Sequence, residues 1–99
     1  MRRGTTPTHT FDTDVDLTGA VVLYLTYKQN GRIKVEKSLS DVTVEPDKVT
    51  VTLTQKETLS FDDEGDVRIQ IRAKFADGKA VASNVIRTSA QIILKEGEI

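Results

Sequence analysis

The chain offers few side chains that could carry out covalent chemistry. His9 is its single histidine, and there is no cysteine. A thiol nucleophile, a disulfide framework and a thiolate zinc site are therefore excluded. A histidine acting as general base needs a nucleophile and an orienting acid within hydrogen-bond reach. Ser38, Ser40, Ser60, Ser83 and Ser89 all stand in ordinary turn or strand contexts, and His9 lies in a Thr-rich segment after Pro7. These residues support a structural or solvent-facing His9, no catalytic constellation and no enzymatic activity.

Carboxylates cluster in two places. Asp12, Asp14 and Asp16 form a D-x-D-x-D array like the start of an EF-hand calcium loop. That loop requires Gly at its sixth position and Glu at its twelfth, and Leu17 and Leu23 stand there instead. Turn-forming aspartates are one reading, and an irregular calcium site completed by other loops is the alternative. Asp62-Asp63-Glu64-Gly65-Asp66 is a concentrated acidic loop, read as a solvated turn, with a cation site or a partner contact as the alternatives. Arg68, Arg72 and Lys74 make a basic stripe along one strand face, with Arg32 and Lys34 on a candidate neighbour. No aromatic residue interrupts the stripe, as single-strand nucleic-acid binding would want, and the glycines are isolated rather than grouped in a phosphate loop. Neither a cofactor nor a metal is expected.

These residues must be held by elements that 99 residues can build, which means one domain spanning 1–99 around one core. Fourteen basic against fifteen acidic side chains give a formal charge of −1, so no global field recruits nucleic acid or anionic lipid. The longest apolar run, Ala20 to Leu25, is far short of the ~20 residues of a membrane span. The residues after Met1-Arg2-Arg3 contain no apolar stretch of the kind a secretory signal carries. Eleven Val, seven Ile and thirteen Thr make the chain heavily β-branched, a composition suited to pleated surfaces.

Hydrophobic residues recur with period 2 nearly throughout. A short edge strand is expected at Thr8–Asp12, followed by turn chemistry to Gly19. In the next strand, 21–28, Val21, Leu23, Leu25 and Tyr27 face one way and Val22, Tyr24, Thr26 and Lys28 the other. Two partly apolar faces mark it as central. Asn30-Gly31 predicts a type I′ hairpin turn into a strand at 32–38, with Ile33 and Val35 on one side. Val42 and Val44 open another short strand, and Val49, Val51 and Leu53 form the inward face of the next. Thr54-Gln-Lys-Glu57 has capping-box spacing and predicts one short helical turn near residues 55–60. A long strand follows, with Val67, Ile69, Ile71, Ala73 and Phe75 alternating against Arg68, Gln70, Arg72 and Lys74. A turn at 76–79 leads into a strand at 80–87, a last strand at 88–94 and a frayed tail at 95–99.

Seven or eight short strands with one helical turn before a long strand fit an all-β, antiparallel immunoglobulin-like β-sandwich. A small barrel is the alternative, since it too buries one face of every strand. In either architecture Val22, Tyr24, Arg68 and Arg72 are the candidate partner contacts, core membership being the competing reading for Val22 and Tyr24.

The segment Arg3-Gly4-Thr5-Thr6-Pro7-Thr8-His9-Thr10-Phe11, then Asp16-Leu17-Thr18-Gly19-Ala20 before an alternating strand, resembles small tail-associated proteins of phages and prophages. It is also similar to the N-terminal domain of the phage upper baseplate protein. The run from Val67 to Phe75, with Asp77-Gly78-Lys79-Ala80-Val81-Ala82-Ser83, resembles the same small prophage proteins, so that the likeness covers essentially the whole chain. The resemblance implies an immunoglobulin-like sandwich that is a non-enzymatic structural or interaction protein of a tail or baseplate. Its partners would be other tail and baseplate proteins, or further copies of itself, with no nucleic acid and no membrane involved. Its place would be the virion, assembled in the bacterial host cytoplasm. The upper baseplate protein continues into segments that reach the receptor-binding proteins, whereas this chain ends at Ile99, which favours a small accessory subunit. A carbohydrate-binding sandwich recognising host cell-wall glycans is the alternative, although only five aromatic residues are present to stack on a sugar.

Overall fold

The computed structural model describes all residues, Met1–Ile99. Its elements are β1 (Thr8–Asp12), β2 (Ala20–Gln29), β3 (Arg32–Ser38), a 3-10 turn (Leu39–Asp41), β4 (Thr43–Glu45), β5 (Lys48–Thr52), α1 (Gln55–Leu59), β6 (Gly65–Phe75), β7 (Ala80–Ala82) and β8 (Ile86–Ala90). One sheet has the order β1-β5-β4 and the other β3-β2-β6-β7, with β8 also paired to β6, and every strand pairing is antiparallel. Their inner faces meet in one core of sixteen buried residues, among them Phe11, Val49, Val51 and Leu53 from the β1/β5 side and Leu23, Leu25, Tyr27, Val67, Ile69 and Ile71 from β2 and β6. This connectivity is that of an immunoglobulin-like sandwich. A three-stranded sheet faces the sheet built on the third and sixth strands of that fold, and the chain crosses between sheets through a helical turn before the sixth strand. Open edges at β3, β4 and β1 separate it from a closed barrel.

Local chemistry places these elements. Asn30 and Gly31 both take positive φ, 52° and 75°, which lets the two-residue turn follow the twist of β2 and β3. At α1 the Thr54 hydroxyl accepts from the Glu57 amide while the Glu57 carboxylate accepts from the Thr54 amide, closing the capping box. The 3-10 turn has no counterpart among the elements expected from sequence. It makes one half of that device: Asp41 accepts from the Ser38 amide and also from the Ser38 hydroxyl.

Four expectations are corrected. Val21 does not share the inward face with Leu23: it is the extra residue of a bulge between the Ala20–Phe75 and Val22–Lys74 pairs, and Ala20 takes the buried place. Ile33 does not share a side with Val35, because a second bulge sets Val35 opposite Tyr27 but Ile33 opposite outward-facing Lys28. The strand expected at 80–87 breaks after Ala82. The Ser83 hydroxyl, instead of the Ser83 carbonyl, accepts from the Ile71 amide, and β8 resumes one residue out of step. The 95–99 tail is tied to the body: Glu96 accepts from Arg3, and Ile99 exchanges hydrogen bonds with the Gln55 side chain.

Candidate functional site

The candidate contacts Val22, Tyr24, Arg68 and Arg72 all lie on the outer face of the larger sheet, where β2 and β6 run side by side. Tyr24 is directly opposite Arg72, Val22 opposite Lys74, Thr26 opposite Gln70 and Lys28 opposite Arg68. Period 2 settles the orientation: Leu23, Leu25 and Tyr27 fill the core, so their neighbours point away from it. Val22 and Tyr24 are 40% and 46% exposed, so both lie outside the core. With Val21 and Leu39 they border a shallow depression between β2 and the 3-10 turn. The bulge at Val21 builds this patch, turning an extra valine outward beside Val22.

The other half of the face is cationic. Arg87 on β8 pairs across from Arg68, so Lys28, Arg68 and Arg87 form one row over three strands. All three are exposed, as are Arg72 and Lys74, and none of the five enters an ion pair. The ion pairs form elsewhere, at Arg3, Lys34, Lys37 and Lys48.

The remaining candidates have separate structural tasks. His9 is half-buried between the sheets, its ring stacked on Tyr27 and its Nδ1 sharing a 2.7 Å hydrogen bond with the Tyr27 hydroxyl. Burial lowers the pKa of His9 and, together with Glu57, raises that of Tyr27. Asp16 accepts from the Thr18 amide and hydroxyl, an Asx turn that also holds its carboxyl below the ordinary range. Asp12 ends β1 opposite Lys48. In the acidic loop Asp62 accepts from Asn30 and Lys34, which lowers its pKa, and Asp63 pairs with Arg3. No three His, Asp or Glu side chains converge in a metal-sized group. A cleft of about 310 Å³ opens at the sandwich edge between the 12–17 loop and β7, lined by Val15, Leu17, Ile71, Ala73 and Val81 among others.

Sequence reasoning assigns no role to Arg3 or Gln29. Arg3 is buried, donating through Nε to the Phe61 carbonyl (2.7 Å), through Nη2 to Leu59 (3.0 Å) and through Nη1 to Glu96 (2.7 Å), with Asp63 2.8 Å away. The hydrogen bond to Glu96 raises its pKa further. Gln29 is buried at the end of β2 and behaves like a strand residue, its amide exchanging two hydrogen bonds with the Asp62 backbone. A polar residue at an inward position of the strand, among Leu23, Leu25 and Tyr27, was the available signal for Gln29.

No protein-family model matches the chain, and no curated protein matches its sequence. Among solved structures it is similar to the V domain of amphioxus IgVJ-C2, at 15% identity over 94% of this chain and 97% of that one, with a TM-score of 0.40. The fold defines an immunoglobulin-like β-sandwich domain on its own strand order. No helix is long and apolar enough to cross a membrane.

Proposed function

We propose that the chain is a non-enzymatic structural subunit of a phage or prophage tail or baseplate, acting by docking through the outer face of β2 and β6. The observation that carries the docking reading is the exposed patch of Val21, Val22 and Tyr24 at the start of β2, an internal strand of the larger sheet, flanked by Arg72 and Lys74. An apolar centre with a polar rim is the usual anatomy of a protein contact, and Tyr and Arg are the residues that such contacts favour. The tail setting rests on the likeness of the opening strand and of the Leu17-Thr18-Gly19-Ala20 step to small prophage tail proteins. Nothing on the surface favours sugar binding in the same way: Tyr24 is the one exposed aromatic ring, while Phe11, Tyr27 and Phe61 are in the core.

The test is co-expression with phage tail and baseplate proteins, followed by size-exclusion chromatography with light scattering. A defined complex, weakened by Tyr24→Ser and Val22→Ser without loss of the thermal transition, supports the reading. A strict monomer that co-elutes with none of these products overturns it.

A further inference from the structure

We propose that the surface docked on this face is an acidic protein segment whose carboxylates lie over the Lys28–Arg68–Arg87 row, with an apolar side chain reaching the Val22–Tyr24 patch. The inference rests on the docking reading and names the chemistry of the partner.

Like charges directly opposite in an antiparallel sheet raise its free energy. Here three cations sit in register on three neighbouring strands with no anion among them. The chain does not lack carboxylates, since acidic side chains outnumber basic ones. Lys34, Lys37 and Lys48 each have one within salt-bridge distance, so the isolation of the row is local. The outer face holds Lys28, Arg68, Arg72, Lys74 and Arg87 against Glu36 and Asp66, on a chain of formal charge −1. The rest of the molecule is therefore net acidic, and this face is the one to which an anionic surface would be steered.

The layout favours protein over nucleic acid. Stacking on single strands needs rings interleaved with cations, but Tyr24 lies beyond the Thr26–Gln70 pair, away from the row. A flat sheet face has no helix or ribbon to enter a duplex groove. An apolar patch and a cation row on one face match instead an acidic segment anchored by one large side chain.

The experiment uses the full chain and fluorescence anisotropy with three labelled probes: an oligo-glutamate peptide carrying one Phe, oligo-dT, and phosphatidylglycerol vesicles. The expected result is salt-sensitive binding of the peptide, weakened about tenfold or more by the double variant Arg68→Glu/Arg87→Glu. The double variant Lys56→Glu/Lys95→Glu, with the same change in net charge elsewhere, is expected to bind like the parent. Equal binding by the two double variants overturns the proposal. So does tighter binding of oligo-dT or vesicles through the same arginines, or salt-sensitive self-association that competes with the peptide, which would make a second copy the occupant. The two readings fail separately: loss of the co-purified complex in Tyr24→Ser with no effect of the charge variants keeps docking and removes the acidic partner, whereas a strict monomer that co-elutes with no partner removes docking.

Discussion

Arg3 and Arg68 carry the same guanidinium into opposite surroundings. Arg3 is drawn into the body, where the Leu59 and Phe61 carbonyls and two carboxylates take up its donors. Arg68 stands on an open sheet face between two other cations. The planar fork of Arg can bolt distant segments together because one group reaches several acceptors at once. Arg3 does this for the N-terminus, the end of α1, the acidic loop and the tail. The same group left without acceptors adds repulsion and no cohesion.

The largest effect is expected of Arg3→Met. Leaving the Phe61 and Leu59 carbonyls without their donor should cost about 2–4 kcal/mol, read as a fall in the denaturant midpoint at unchanged m-value. An unchanged midpoint would remove Arg3 as a bolt.

A pH series sharpens the contrast between interior and surface. His9 is the single histidine, and burial lowers its folded pKa below the ordinary 6.5. The unfolded chain therefore binds the proton first. The contribution is fully present above pH 6.5 and is lost as pH falls through the folded value. His9→Gln should flatten the stability profile between about pH 7 and 5. A profile that keeps its slope in the variant would contradict the burial of this ring. At lower pH, Asp41, Glu57 and Asp62 add a second loss. All three have folded pKa values below the ordinary range. Asp41 is held there by the Ser38 amide and Asp62 by the Asn30 amide; at Glu57 burial opposes the effect but Lys37 and Thr54 outweigh it.

Glu96→Gln and Asp63→Asn should each cost less than about 0.5 kcal/mol, because both carboxylates are more than half exposed and solvent screens their pairing with Arg3. Losses as large as that of Arg3→Met would shift the work from the carbonyls to the ion pairs. The smallest effect has the opposite sign. Arg68→Thr relieves a like-charge row and introduces a β-branched residue, so the melting temperature should rise by about one or two degrees. A fall would mean that Arg68 has a cohesive role on the sheet.

What was legible in the sequence was local. Asn30-Gly31, Thr54-x-x-Glu57 and the alternation from Val67 to Ala73 state their geometry within a few residues, and the structure follows them. Ser38-x-x-Asp41 has the same spacing as Thr54-x-x-Glu57, but the three-residue 3-10 turn it opens is absent from the elements expected from sequence. The bulges at Val21 and opposite Tyr27–Lys28 were not legible. Each is set by register between strands, and a single inserted residue flips the faces that period 2 assigns. The Lys28–Arg68–Arg87 row is hidden for the same reason: its members are adjacent only after three strands are aligned. Arg3 contacts residues as much as 93 positions away, beyond the reach of any local pattern.

Met1–Arg3 runs parallel to the chain at Gln91, and the strap is held by Met1 to Ser89, Gln91 to Met1, Arg3 to Gln91 and Arg2 to Ile92. Tension applied to the two termini slides these segments past each other and loads all four bonds together, where a hairpin would let them break in succession. A domain strapped in this way resists being drawn out lengthwise.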